Sequence, residues 1–301
     1  MIKIKQKNIR GIFPIIYSFF NKDNTIDHKL MIDQLSVIKK MNPNGIACLG
    51  LATEVNKLTF KEKKFIIELI RKETSADLPL AITIKGNNLK EYKNLINISK
   101  SNKADWIILQ PLIKKNTNDK DCYEFFSNLL HHTGDTLVGI QNAKEYIGVG
   151  LNTNQIINLY KRFSNFRVIK GETSSVHVEQ IIKQYPKDLF VFNGRGGQEI
   201  IDNLKVGCKG IIPATEMSDY FIKIYNLIEQ NKEERALKIY KNILPGIVFV
   251  MQSIDTLICY GKRVLAHRMG IKKVYDRKPF LEVTKYGNNI SKIIAKNLGS
   301  F

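Results

Sequence analysis

The feature that constrains this chain most is a repeat of short apolar runs. Eight of them follow one another: GIFPIIYS (11–18), GIACLG (45–50), LAITIK (80–85), WIILQ (106–110), TLVGIQ (136–141), FRVIK (166–170), LFVFNG (189–194) and GIIPA (210–214). They recur at intervals of roughly 20 to 35 residues, each long enough for one helix. Continuous apolar strands joined by helical crossovers predict a parallel sheet covered by helices. Eight such units by residue 214 fit an α/β fold of the closed (β/α)8 TIM barrel type. An open doubly wound sheet fits less well. Its phosphate loop usually follows the first strand, and here the first strand runs into SFFNKDNTID with no glycine fingerprint.

The segments between the runs carry helix signals. LTFKEKKFIIELIRKE places Thr59 three residues before Glu62, the spacing of a capping box. NTNQIINLYKRF opens on Asn152 or Asn154, either a suitable N-cap. After residue 214 the alternation stops; 216–270 reads as two or three long helices and 277–297 as a shorter one. We therefore expect a barrel core over 1–215, and a closing helix plus a C-terminal helical extension over 216–301 packed on the barrel. The longest apolar stretch, ILPGIVFVMQSIDTLICY, is interrupted by Pro245, Gln252, Ser253 and Asp255. That pattern suits a buried helix and not a membrane span.

Composition narrows the function classes. The net charge is +19, which invites a phosphate-binding reading. Yet the cations are mostly lysines scattered singly or in pairs along predicted helix faces (Lys39-Lys40, Lys63-Lys64, Lys114-Lys115, Lys272-Lys273), with no arginine-rich arm or RNP-like strand. Specific nucleic-acid binding is not expected. Cys48, Cys122, Cys208 and Cys259 stand far apart without a CxxC pair, which suits a reducing compartment. The N-terminal MIKIKQKNIRG has no apolar leader core, so a cytoplasmic location is expected. The five histidines, His131-His132 among them, show no metal-ligand spacing with carboxylates, and no metal site is expected.

Lys170 ends the sixth apolar run. Val168, Lys170 and Glu172 share parity, so in a strand they point to one side. In a parallel barrel the side chains at strand C-terminal ends line the active site. An amine held there against apolar neighbours is a nucleophile for carbonyl carbon. Glu172 can orient it or serve as a general base.

GI.P....F near the N-terminus, the loop GLATE followed by KLT, and VIKGET at the sixth run together resemble the dihydrodipicolinate synthase/N-acetylneuraminate lyase family. The resemblance implies a (β/α)8 barrel with a helical C-terminal extension, acting on pyruvate or related 2-oxo acids through a lysine Schiff base. It puts the imine at Lys170, requires no metal or organic cofactor, and implies a homotetramer built from dimers. The family loop that receives the 2-oxo acid carboxylate usually reads GTTGE or GSTGE. Here Gly50-Leu51-Ala52-Thr53-Glu54 keeps the glycine and the glutamate. Backbone amides around Gly50 and Ala52 can still take the carboxylate, with Thr53 supplying a shifted hydroxyl. Where the family has YNVP this chain reads Gln141-Asn142-Ala143-Lys144; a glutamine positions but does not titrate. By counting, Tyr146 stands where synthase members place an arginine.

The expected reading is a Schiff-base aldolase or dehydratase acting on pyruvate or a related acidic 2-oxo acid. Lys170, Gln141 and Glu172 carry the chemistry. Gly50, Ala52, Thr53, Asn142, Tyr146 and Thr215 line the substrate. Arg195 in FNGRGGQE, beside Gly196 and a helix start, is expected to grip a distal anion. Synthase activity with aspartate semialdehyde and sialic-acid-type lyase activity are alternatives in the same class. A 2-oxo acid-binding barrel without catalysis is the alternative in another.

Overall fold

The computed structural model describes residues 9–113 and 117–301. Most of the N-terminal segment read above for a leader, and the Lys114-Lys115 pair, lie outside the described residues. Each of the eight runs contains a strand: β1 (Gly11–Ile12), β2 (Ile46–Cys48), β3 (Leu80–Ile84), β4 (Trp106–Leu109), β5 (Leu137–Asn142), β6 (Phe166–Gly171), β7 (Phe190–Asn193) and β8 (Gly210–Ile211). They form one parallel sheet in the order β1-β8-β7-β6-β5-β4-β3-β2. Ile15, just past β1, closes it into a barrel by bridging Ala47 on the opposite edge strand β2, as it also bridges Ala214 just past β8.

β1 and β8 are shorter than their apolar runs because both reach a proline, which has no N–H to donate. The prolines keep their carbonyls in the ladder. Ala47 N donates to Pro14 O at 2.9 Å, and Ile15 N donates to Pro213 O at 2.8 Å. Below the closure, Phe13, Trp106 and Phe192 fill the barrel, with ring centroids 5.4 to 5.7 Å apart. Glycines face them. A Cβ on Gly45 would sit 2.1 Å from the Phe13 ring, and one on Gly210 would sit 2.1 Å from the Gly11 carbonyl oxygen. The interior is thus filled by three large rings against bare backbone, which fixes the relative height of the strands.

The helix signals hold in detail. Thr59 caps the helix Phe60–Glu73 with a reciprocal box to Glu62, and Asn152, not Asn154, caps Thr153–Arg162 through Gln155. Lys63 departs from the surface reading of the lysine pairs. It is buried, donating to Glu91 Oε1 and the Lys85 carbonyl, each at 2.9 Å. After β8 come helices Ser218–Glu229 and Glu233–Val250, a third helical stretch over 254–268, and Lys285–Leu298. The stretch 254–268 opens with one α-turn, widens to a π-helix at Leu257–Gly261, and continues as Lys262–Arg268.

Charged side chains dock this extension on the barrel. Arg268 grips both carboxylate oxygens of Asp219 at 2.9 Å and donates to the Glu216 carbonyl at 2.7 Å. Lys262, fully buried, donates to Glu54 in the loop after β2 and stands 3.6 Å from Asp276. Among the described residues no single helix is long and apolar enough to cross a membrane. The pair Glu233–Val250 and Ile254–Arg268 passes only as a broken unit bent by 106°.

Barrel closure makes a stability prediction. Gly210→Ala drives its new methyl into the Gly11 backbone, which no rotamer can relieve. We expect a loss of at least about 3 kcal/mol in urea unfolding. A variant as stable as the parent would show that the β1–β8 seam is looser than described.

Candidate active site at the barrel mouth

Parallel pairing fixes which side chains meet. Gln141 on β5, Lys170 on β6 and Phe192 on β7 are register partners, so all three project to one face, the barrel interior. Two residues beyond Lys170, Glu172 returns to the same face as the chain leaves β6. Its Oε1 accepts from Lys170 Nζ and from Gln141 Nε2, the latter at 2.9 Å. All three side chains are buried. Gly194, just past β7, makes the room: a Cβ there would lie 2.7 Å from Glu172 Oε1 and 2.8 Å from Lys170 Cε.

Buried oxygens without partners mark the same interior. Thr83 Oγ1 on β3, Gln110 Oε1 just past β4, and Gln141 Oε1 have no hydrogen-bond partner among the described residues. Gln141 spends its amide N–H on Glu172 and so holds its carbonyl free. Such groups are costly to bury unless a ligand or water completes them.

The mouth above Lys170 and Glu172 opens on a small cavity of about 30 Å³. Its walls come from the loop after β2 (Leu51, Ala52), from β7–β8 (Gly194, Gly196, Ile212, Ala214), from Tyr146, and from the extension (Met251, Ile254, Leu257). A larger cleft of about 480 Å³ lies between the helices outside β5 and β6 and shares Glu172 with the mouth. Lys170 is not on its wall, so the smaller cavity holds the amine and is the candidate site.

The other expected site residues divide sharply. Ala52, Tyr146 and Gly196 line the mouth. At Gly50 a Cβ would sit 2.4 Å from Ile15 Cδ1, so this glycine lets the loop close over β1. Thr53 does not present its hydroxyl: fully buried, it donates to the Ile16 carbonyl at 2.7 Å and braces the loop. Thr215 likewise donates to the Ile15 carbonyl at 2.9 Å. Asn142 points out of the barrel, where its side chain pins Leu151 N and O at 2.8 and 3.0 Å. Strand alternation explains this, because Asn142 follows the inward Gln141.

Arg195 does not face the cavity as a free cation. Its guanidinium donates to Glu199 Oε2 at 3.0 Å. The bare backbone of the GG pair is occupied by the protein itself: Cβ atoms would meet Met251 Sδ at 2.4 Å from Gly196, and the Phe221 ring at 2.4 Å from Gly197. The expected distal-anion site is therefore filled by internal packing.

Reading the sequence missed Tyr17. It shares parity with Phe13 and Ile15, which was the available signal, and its buried hydroxyl donates to Glu216 Oε2 at 2.8 Å. Burial pushes the Glu216 carboxyl up to about 7, and burial with Glu216 beside it pushes the Tyr17 phenol up as well. Glu54, in the left-handed region at φ 58°, is the loop's ionic anchor, held by Lys57 at 2.7 Å and by Lys262. Among the described residues no group of three or more His, Cys, Asp or Glu is placed to hold a metal ion.

The raised Glu216 carboxyl has a stability consequence. Between the ordinary 4.5 and about 7 the folded state keeps a proton that the unfolded chain releases, so this group's contribution falls as pH rises through that window. Glu216→Gln removes the titration. The parent-minus-variant difference in unfolding free energy should fall across the window and be level above it. A difference that rises across the window would contradict the assignment.

The comparisons with known proteins agree with this architecture. The model of the dihydrodipicolinate synthetase family matches residues 8–297. A 4-hydroxy-tetrahydrodipicolinate synthase of Karelsulcia muelleri is 24% identical over 287 residues, 93% of this chain and 94% of that protein. A catalytic-lysine mutant of the Ruminococcus gnavus sialic acid aldolase superposes with a TM-score of 0.89 at 17% identity, covering 97% of this chain and 96% of the other. An E. coli prophage protein of the dihydrodipicolinic acid synthase family, solved with pyruvate, gives 0.87 at 17% identity over 96% of this chain and 98% of its own. Its sequence match across nearly the whole length makes the chain a member of the dihydrodipicolinate synthetase family.

Proposed function

We propose that this protein is a class I lyase that joins Lys170 to pyruvate, or to a 2-oxo acid that yields pyruvate, as an imine. The observation that carries this reading is the contact of the buried Lys170 amine with the Glu172 carboxylate at the inner end of β6. An ammonium is no nucleophile, and here its proton acceptor is already in place. The names of the relatives support the reading: one structural neighbour is an aldolase with a catalytic lysine, and another was solved with pyruvate.

The steps follow from the contacts. Glu172 takes a proton from Lys170, and the free amine adds to the C2 carbonyl. Glu172 returns the proton to the C2 oxygen, then carries a second proton from the carbinolamine nitrogen to the same oxygen, and water leaves to give the cationic imine. For a 4-hydroxy-2-oxo acid, Glu172 then takes the hydroxyl proton and the C3–C4 bond breaks. The electron pair flows to the imine nitrogen, and an aldehyde leaves. The enamine takes up a proton at C3, and water releases pyruvate from Lys170. In a dehydratase variant the C3 proton leaves first. Gln141 Oε1, otherwise unpartnered, accepts from the hydroxyl of the C2 adduct. Leu51 and Ala52 amides, which donate to no backbone carbonyl among the described residues, receive the C1 carboxylate.

This places the proton work on Glu172 where other members use a tyrosine. Synthase activity with aspartate semialdehyde is disfavoured, because Gln141 does not titrate and Arg195 is held by Glu199. A barrel that only binds 2-oxo acids would have no need of an amine and a carboxylate in contact. Assembly as a homotetramer of dimers and a cytoplasmic location complete the proposal, the first to be read by light scattering of the purified protein.

Pyruvate with borohydride should leave a reduced three-carbon adduct on Lys170, located by peptide mass spectrometry and absent from Lys170→Ala. An adduct on another lysine sinks the mechanism. Glu172→Gln should lower kcat by about 10²-fold or more with the fold intact by circular dichroism. A variant turning over like the parent would leave Glu172 as a spacer only.

A further inference from the structure

The mouth differs from what an acidic or polyhydroxylated substrate requires. Its inner end is polar, with Lys170, Glu172 and the free Gln141 carbonyl. Its outer end is not. Leu51 from the β2 loop and Met251, Ile254 and Leu257 from the extension face the opening. No hydroxyl, amide or free cation stands among those four; Tyr146 brings a phenol to the same lining. The two cations nearest are already paired, Lys170 with Glu172 and Arg195 with Glu199. Met251 lies on the bare Gly196 backbone, so the amides there are covered by a thioether.

We infer that the 2-oxo acid this site selects carries a short, uncharged, apolar substituent beyond C3, and that Met251, Ile254 and Leu257 are its specificity-determining residues. The inference rests on the imine reading for the position of C2 and deepens it by naming the substituent. A second carboxylate in the mouth would lose water, gain no donor from the four apolar walls, and meet the Glu172 carboxylate. An alkyl group loses nothing and buries its surface. Each methylene contributes about fourfold in affinity if fully covered.

The walls also fix who controls selection. Met251, Ile254 and Leu257 sit where the chain turns from the helix Glu233–Val250 into the π-helical segment. A π-turn inserts one extra residue per turn, which rotates the side chains of Leu257–Gly261 relative to an α-helix. Leu257 thereby reaches the mouth while Tyr17 packs on the same turn at Gly261.

The test uses two 2-oxo acids of matched length on the intact protein, 2-oxopentanoate with an alkyl end and 2-oxoglutarate with a carboxylate end. Isothermal titration should give 2-oxopentanoate at least about tenfold tighter. Ile254→Arg, at a half-buried wall position, should move the ratio towards 2-oxoglutarate by about tenfold, and Ile254→Ala should weaken 2-oxopentanoate alone. Equal or tighter binding of 2-oxoglutarate by the parent overturns the inference whatever the variants do. Borohydride trapping of pyruvate is run beside it. Failure to trap on Lys170 removes the imine reading, whereas the binding ratio reports on the mouth by itself, so the two failures are distinguishable.

Discussion

Closure of the sheet is the constraint on which the rest depends. Two prolines, Pro14 and Pro213, cut short the strands at the seam, and Ile15 completes it with bridges to Ala47 and Ala214. Once the barrel is closed, strand alternation leaves no freedom in which side chains share its interior. Gln141 and Lys170 are level because they are register partners, and Glu172 joins them one pleat higher. A slip of one residue at β5 or β6 would exchange Gln141 for Asn142, or Lys170 for Gly171, and the site would vanish.

The site is a buried ion pair with an amide for support, and such pairs contribute little to stability by themselves. Desolvating two charges costs several kcal/mol per ion, and their attraction repays this only with good geometry. Here the glycine at 194 supplies the space and Gln141 supplies a further donor to the carboxylate. The proposed mechanism gives the arrangement a use: the carboxylate that holds the ammonium is the group proposed to relieve it of a proton. By contrast the Glu54–Lys262 and Arg268–Asp219 pairs do no chemistry. They hold the β2 loop and the C-terminal helices against the barrel and so determine the shape of the mouth.

The sequence went far on the fold. Eight apolar runs, their spacing, the capping box at Thr59 and an N-cap at Asn152 or Asn154 are local signals, written in consecutive residues. The lysine was legible for the same reason: its parity with Val168 and Glu172 is a property of one strand. Less was legible where a side chain has two equally good directions. Thr53 and Thr215 stand in the right loops, yet each hydroxyl turns back to a carbonyl of the chain after β1. Only the packing of that chain determines this.

What the sequence alone determined is the barrel, its helical extension, and a lysine and a glutamate on one face at the end of the sixth strand. Those follow from periodicity, and periodicity is a one-dimensional quantity. The tertiary structure decided what the arginine and the glycine pair are for. FNGRGGQE reads as an anion site, because bare backbone and a guanidinium both suit a carboxylate. In three dimensions Glu199, the last residue of that same motif, takes the guanidinium across the turn, while Met251 and Phe221, more than twenty residues away, fill the glycine backbone. Whether bare backbone meets a ligand or a neighbour depends on what long-range packing brings to it, and no local pattern records that.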